Sequence, residues 1–499
     1  AALAAQAQSL AATFDNHADD SHTSHLTAVF AHRSVAAYAG VLGALFQGNG
    51  YVPLNRHFPP DRTRQMLQRS GCTQVLVDHL SSEQLPEIVA GLEPLVIIAP
   101  DPETDTRALS DACPGHTVLG AADLATPSAA LASGTPLTSS DAVAYLLFTS
   151  GSTGQPKGVA VSQANVSAFL DWAQSRYEVD EHDRMSQMFD LTFDLSVFDM
   201  FLAWSNGAHL CCPTDRELIH PGKFVKQSEL TIWFSVPSVA MFMSRLRTLK
   251  PQSYPTLRWA LFCGEPLPLD LTAEFAAAAP NAVVENLYGP TELTIACTVH
   301  RYDDVTSHRD AVNGIVPIGE PFPTMDAAIL DDELREVPVG SDGELALTGP
   351  QVTLGYWQDP EKTAAAFVEP PGLTGVYYRT GDRVRRDRVD GPLVHLGRLD
   401  HQIKVNGHRV ELGEIEAVLR EEGGVAAAVA IGWPVTDAGA GGIVGFVSGA
   451  RTDPTELCEK AALRLPPYMV PRQIVEVDEF PLNSNGKIDR LALRAILDD

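Results

Sequence analysis

Thr149-Ser150-Gly151-Ser152-Thr153-Gly154-Gln155-Pro156-Lys157-Gly158 decides how this chain is read. Small hydroxyl side chains and glycines let successive backbone N–H groups turn inward and cradle phosphate oxygens, and Lys157 adds a mobile positive charge. The apolar run 142–149 just before it reads as a strand. A Walker-type loop is excluded, because that pattern needs Gly before the lysine and Ser or Thr after it. Pro156 and Gly158 hold those places. The segment is a phosphate cradle of another kind.

Upstream of the loop, residues 34–46 have apolar spacing suited to a helix, and Gly48-Asn49-Gly50 turns the chain into a short strand at 51–54. Residues 61–70 read as an amphipathic helix and 74–78 as a strand, while 126–139, rich in Ala, Ser, Thr and Pro, reads as a surface connection. Helix–strand alternation continues to about residue 300, which predicts an α/β architecture with helices covering sheets. Beyond about residue 310, short stretches at 327–330, 343–348, 376–380 and 393–396 are divided by Gly and Pro and predict a small β-barrel portion. After Asp400 come helices at 412–421 and 454–464, with strands near 425–432 and 442–448. The predicted fold class is thus α/β. A large N-terminal domain of packed mixed sheets with helices and the barrel portion covers 1–399, and a small mobile α+β C-terminal domain covers 400–499.

Composition narrows the function classes. At 45% hydrophobic and 20% charged residues the 499-residue chain is an ordinary globular protein, of about three folding units by length. No apolar run reaches the ~18 residues of a membrane span. Lys and Arg number 36 against 63 Asp and Glu, a net charge of −27. Such a chain is a poor match for nucleic acid or anionic lipid, so neither is expected as a partner. If the substrate is an anion, local cations must meet it against the global field. Seven cysteines, at 72, 113, 211, 212, 263, 297 and 458, form no C-x-x-C pair. Neither a disulfide framework nor a zinc site is supported, and a reducing, cytoplasmic location is expected. Residues 1–13 lack a basic n-region and read as a helix entered part-way rather than a signal peptide.

Further segments follow the loop in a telling order: Asn286-Leu287-Tyr288-Gly289-Pro290-Thr291-Glu292, Gly343-Glu344-Leu345, Gly355-Tyr356-Trp357 and Tyr378-Arg379-Thr380-Gly381-Asp382. Then come Leu396-Gly397-Arg398-Leu399-Asp400, Gln402-Ile403-Lys404-Val405-Asn406-Gly407 and Asn485-Gly486-Lys487-Ile488-Asp489-Arg490, with Gly50-Tyr51-Val52-Pro53-Leu54 far upstream. Together they resemble the adenylate-forming superfamily of acyl-CoA synthetases, luciferases and nonribosomal peptide synthetase adenylation domains, and most closely its amino-acid-activating branch. The resemblance implies ATP and Mg²⁺ as cofactors. It implies a reaction in which a carboxylate attacks the α-phosphate and the acyl group then passes to the phosphopantetheine thiol of a separate carrier protein.

By the same resemblance, Lys487 is the catalytic residue, bridging substrate carboxylate and α-phosphate. Thr149, Ser150, Gly151, Ser152, Thr153, Gly154, Lys157, Gly264, Glu265, Gly289 and Thr291 join the ATP site. Tyr288 would stack on adenine, Asn286 would bond the base edge, Asp382 would accept both ribose hydroxyls and Arg398 would contact the nucleotide. Glu292 would ligate Mg²⁺. Asp400 marks the hinge of the small domain, whose swing would remove Lys487 and admit the thiol.

Asp194, in Phe193-Asp194-Leu195-Ser196-Val197, would pair with the substrate's α-ammonium. Its alternative is a helix cap, and Asp190 is the alternative for the pairing role. The remaining side-chain pocket carries over as Leu195, Phe198, Ser235, Leu261, Cys263, Leu287, Ile295 and Ala296. It has no second charge, so a small neutral amino acid is expected: 2-aminobutyrate, valine, alanine, proline or cysteine. The chain departs from the family's pattern by lacking its Leu-Thr-Tyr start and by carrying Ser162-Gln163 where many members have a His. It ends at Asp499 short of a carrier domain, so a free-standing or excised adenylating domain is expected. An acyl-CoA synthetase and a non-catalytic binding protein of this fold are the competing readings.

Overall fold

The computed structural model describes residues 2–18, 24–127, 138–151, 156–400, 402–425, 427–436, 439–449, 452–481 and 488–498. Its first sheet has seven strands: β1 (Leu26–Phe30), β2 (Gly50–Leu54), β3 (Gln74–Val77), β4 (Val96–Ala99), β5 (Thr117–Gly120), β6 (Val143–Thr149) and β7 (Lys157–Ser162). They lie in the order β5-β4-β3-β1-β2-β6-β7, parallel except where β7 runs back along β6. Parallel strands covered on both faces read as unbroken apolar runs, and every residue of β1 and β2 is buried. The helix Val35–Gln47 begins where Ser34 Oγ accepts from the Ala37 N–H and ends at left-handed Gly48, matching the predicted helix and turn.

A second sheet contains β8 (Arg184–Ser186), β9 (His209–Cys211), β10 (Ile232–Ser235), β11 (Trp259–Phe262), β12 (Val283–Tyr288), β13 (Thr298–Arg301) and β14 (Glu320–Pro321), in the order β14-β13-β12-β11-β10-β8-β9. The portion expected as a small barrel is an antiparallel five-stranded sheet of β15 (Asp326–Leu330), β16 (Asp342–Thr348), β17 (Phe367–Val368), β18 (Tyr377–Arg386) and β19 (Leu393–Arg398), with no pairing that closes it among the described residues. One apolar cluster joins all three sheets, from Tyr51 and Tyr145 through Phe234 and Leu261 to Leu347 and Val384.

Residues beyond Asp400 have apolar clusters of their own, around Ile415, Leu419 and Ile443 and around Val429, Phe446 and Leu493, as a separate folding unit should. Here β20 (Gln402–Val405), β21 (His408–Glu411), β23 (Val435–Thr436) and β24 (Gly439–Ala440) form one sheet, and β22 (Ala428–Gly432), β25 (Ile443–Val447) and β26 (Gln473–Glu476) another. Helices Leu412–Gly423 and Pro454–Ala462 fall where they were expected. Most of the predicted connection at 126–139 lies outside the described residues. Among the described residues no helix is long and apolar enough to cross a membrane.

Candidate active site

Pairing of β6 with β7 sets Lys157 directly opposite Thr149, at the mouth of the phosphate loop. The lysine is largely buried, with Nζ 3.3 Å from Glu292 Oε1 and 3.2 Å from the Tyr356 hydroxyl. Glu292, in the single turn Thr291–Leu293 after β12, is wholly buried. Tyr356 donates to its Oε1 at 2.8 Å and Arg409 Nη1 to its Oε2 at 2.8 Å. Burial alone would raise the Glu292 pKa. The charges of Arg409 and then Lys157 overcome it and hold the carboxyl well below the usual carboxylate range.

Arg409 comes from the C-terminal unit, and the same stretch also engages the loop. Ser150 Oγ donates to the Arg409 carbonyl at 2.8 Å and accepts from the Glu411 N–H at 3.2 Å. The Gly151 N–H donates to Glu414 Oε2 at 3.1 Å, while Arg62 holds the other oxygen of this buried carboxylate. A carboxylate of the protein thus sits on an N–H of the predicted phosphate cradle. Close approach is possible because Gly407 has no side chain: a Cβ there would lie 2.7 Å from Val236 Cγ1.

At the other end, Asp382 lies within β18. Its carboxylate accepts from the Tyr288 hydroxyl, from Arg398 Nη1 at 3.0 Å and from His395 Nε2, when that nitrogen is protonated, at 3.2 Å. Burial works against ionisation, but the hydrogen bond and charge of His395 and the charge of Arg398 bring its pKa down to about 2. Arg398 also spans to Asp400, at 2.6 and 2.7 Å. Asn286 is buried on β12, and its amide donates to the Pro317 carbonyl at 2.9 Å.

Asp194 occupies the third corner. It stands at the start of helix Leu195–Ser205 but makes no capping hydrogen bond, so the capping alternative fails. Its Oδ2 accepts from the Ile295 N–H at 3.3 Å. Burial pushes its carboxyl up to about 6, against hydrogen bonds from Thr291 and Ile295. Thr294 and Ile295 are both β-branched and both left-handed, with φ of 57° and 74°. Such a loop is strained and must be held. Gln351 holds it: its buried amide donates to the carbonyls of Leu293, Thr294 and Ala296 at 3.2, 3.1 and 2.6 Å. Asp190 is committed elsewhere, accepting from Thr192 and pairing with His32 Nδ1 at 2.8 Å, so it is not the free carboxylate of the pocket.

The three corners open on one cavity of about 380 Å³ between the two units, lined by Thr149, Ser150, Asp194, Tyr288, Asp382, Lys404 and others. A cleft lined by Arg398, Lys404 and Arg409 together with the buried Asp194 carboxylate fits a reaction on an anionic substrate. The amino-acid sequence matches the AMP-binding enzyme family over residues 1–357 and the AMP-binding enzyme C-terminal domain over 414–487. The chain belongs to the AMP-binding enzyme family.

Relatives in the family include an L-proline--[L-prolyl-carrier protein] ligase of Pseudomonas fluorescens, 34% identical over 93% of this chain and 88% of that protein. The AMB antimetabolite synthetase AmbB of Pseudomonas aeruginosa is 37% identical over 92% of the chain, which spans only 34% of AmbB's length. Among solved structures, the adenylation domain AlmE of Vibrio cholerae, in complex with glycyl-adenosine-5'-phosphate, superposes with a TM-score of 0.89 at 32% identity, covering 99% of this chain and 92% of that one.

Of the residues predicted for the family site, Thr149, Ser150, Asp194, Leu195, Cys263, Gly264, Glu265, Asn286, Leu287, Tyr288, Gly289, Thr291, Ile295, Asp382 and Arg398 line the cavity. Glu265 Oε2 is engaged by the Ser238 N–H at 2.7 Å. Ser152, Thr153, Gly154 and the expected catalytic Lys487 lie outside the described residues. Four further pocket assignments, Phe198, Ser235, Leu261 and Ala296, are buried and are not among the lining residues. Phe198 lies one helical turn beyond Asp194, and its ring packs on Phe234 at 4.9 Å and Tyr177 at 5.7 Å. Ser235 Oγ is occupied by Trp233 Nε1 and the Val236 carbonyl. Sequence reasoning assigned no role to Lys404, His408, Arg409, Glu414, Tyr356, His395 or Gln351. The first lies inside the quoted segment Gln402–Gly407 and the next two directly follow it, a signal that was available.

Proposed function

We propose that this protein activates a small neutral amino acid with ATP to an aminoacyl-adenylate and pyrophosphate, then passes it to the phosphopantetheine thiol of a separate carrier protein. The observation that carries the reading is Asp194, a buried carboxylate lining the cavity that feels the charge of Lys404 but makes no ion pair among the described residues. An ionised carboxylate left so costs several kcal/mol, and a substrate ammonium removes that cost. A fatty acid offers no such charge, which disfavours an acyl-CoA synthetase. The ligases and the glycyl-adenylate complex among the relatives support the same reading.

Lys157 and the loop N–H groups would hold the triphosphate, Asp382 the ribose hydroxyls and Tyr288 the base. Lys487 would neutralise the transition state. Asn286 would act on the base with its carbonyl oxygen, since its amide N–H is engaged. Glu292 is a single hard carboxylate, a number that suits Mg²⁺ carried in on phosphate oxygens, and the ion would neutralise their charge during attack. That fit requires Arg409 to leave Glu292.

The arrangement described here, with Arg409 on Glu292 and Glu414 on the loop, therefore corresponds to the stage after pyrophosphate has left. Residues 1–399 and 400–499 would then be the two moving parts, with Asp400 as hinge. Seven free thiols support a reducing, cytoplasmic setting. Cavity-lining Leu195, Cys263, Leu287 and Ile295 favour a short aliphatic side chain. Pyrophosphate exchange with ATP across a panel of amino acids tests the assignment. Exchange with alanine, 2-aminobutyrate, valine, proline or cysteine is expected, and a preference for Phe, Lys or Glu would overturn it.

A further inference from the structure

A second cavity, of about 360 Å³, adjoins the first. The large unit contributes Asn55, His57 and Asp190 to its wall, the C-terminal unit Pro467 and Tyr468, and His57 is exposed at its outer end. Phe193 and His408 line both cavities and so stand where they meet. Phe193 directly precedes Asp194. It is at this junction that anything entering from the second cavity would first reach the bound substrate.

His408 is held firmly. Its ring stacks on Tyr468 with centroids 3.6 Å apart and planes at 15°, and Phe193 meets it edge-on at 4.7 Å. Its Nδ1 is buried with no hydrogen-bond partner among the described residues. A ring nitrogen buried between two aromatic rings without a hydrogen-bond partner is costly unless a ligand uses it. Burial, against the charge of Asp190 and with that of Lys404, brings its pKa down to about 4, so it is neutral at physiological pH. A neutral ring can hydrogen-bond a thiol or thiolate without adding charge beside Lys404 and Arg409.

We propose that His408 is a positioning residue for the acceptor, its imidazole hydrogen-bonding the thiol end of the carrier's arm where the second cavity opens on the adenylate. This rests on the carrier-loading reading above. The residue lies on β21, beside Arg409, so it reaches the junction only while the C-terminal unit sits as described. It serves the transfer step and not adenylate formation.

The test uses free pantetheine as acceptor, with aminoacyl-pantetheine formation and pyrophosphate exchange measured on the same preparations. His408→Phe keeps the stack on Tyr468 but removes both nitrogens. Its kcat/KM for pantetheine should fall about tenfold, the order of one hydrogen bond made out of reach of water, while exchange stays within about twofold. His408→Asn returns a polar group near the position of Nδ1 and should recover much of the loss. Transfer at full rate in the Phe variant overturns the proposal. So does equal loss in the Phe and Asn variants, or loss of exchange together with transfer, since the ring is then only packing. Absence of exchange with every amino acid in the unsubstituted enzyme is a different failure, of the adenylation reading itself, and takes the proposal with it.

Discussion

Asn in place of Asp194 should weaken substrate recognition and strengthen the fold at the same time. A carboxyl whose pKa rises from 3.8 to about 6 on folding carries about 3 kcal/mol more cost for its charge in the native chain than in the unfolded one, at ~1.4 kcal/mol per pH unit. Because the raised pKa means that the native chain binds the proton more tightly, this cost is absent below pH 3.8 and complete above about pH 6. Asp194→Asn keeps the shape and removes the charge. Without ligand, the variant should be up to ~3 kcal/mol more stable than the parent at pH 8, with the difference vanishing toward pH 4. Denaturant titrations at the two pH values measure it.

Binding should move the other way. An ammonium left without its counter-charge loses ~3 kcal/mol, so kcat/KM for the amino acid in pyrophosphate exchange should fall about 100-fold, with KM for ATP little changed. In the parent, affinity for the amino acid should decline as pH falls through about 6, where the carboxylate is protonated. A variant that is less stable at pH 8, or that exchanges as well as the parent, would refute the reasoning.

Lys487→Ala should slow adenylate formation by ~10²–10³ with ATP affinity retained, as single-turnover formation of the adenylate would report. Leu287→Ala, which opens the cavity wall, should admit longer aliphatic amino acids in the exchange panel. Phe198→Ala lies behind that wall and should instead cost ~3–5 kcal/mol of stability, read by denaturant unfolding. Gln351→Leu frees the strained turn at Thr294 and Ile295, so KM for the amino acid should rise while KM for ATP holds, and a variant with neither effect would show that the turn needs no clamp.

Much of this was legible in the chain because it is written locally. Ser34 and Gly48 bracket their helix, the apolar runs at 51–54 and 74–78 announce β2 and β3, and Asp194 was separated from Asp190 by the residues after it. What escaped was written across distance. Arg409 meets Glu292 and Glu414 meets Gly151 only when two units dock, and no periodicity within either segment records that contact. Phe198 does not line the cavity because a helix carries successive residues to different faces, so neighbours of Asp194 in sequence need not share its cavity. Gln351 was invisible for a similar reason: its three acceptors are carbonyls of a loop more than fifty residues away.

Arg409 and Glu414 stand on one continuous piece of backbone, β21 running straight into the helix Leu412–Gly423. The guanidinium on Glu292, the carboxylate proposed for Mg²⁺, and the carboxylate on the proposed phosphate loop would therefore arrive together and leave together. Such a seat is taken or vacated in a single event and cannot be emptied by degrees. In the proposed cycle the two half-reactions need no messenger to keep them apart, because they compete for the same place. Departure of pyrophosphate becomes the clock. A fresh triphosphate can then enter only after AMP has left and the segment has withdrawn.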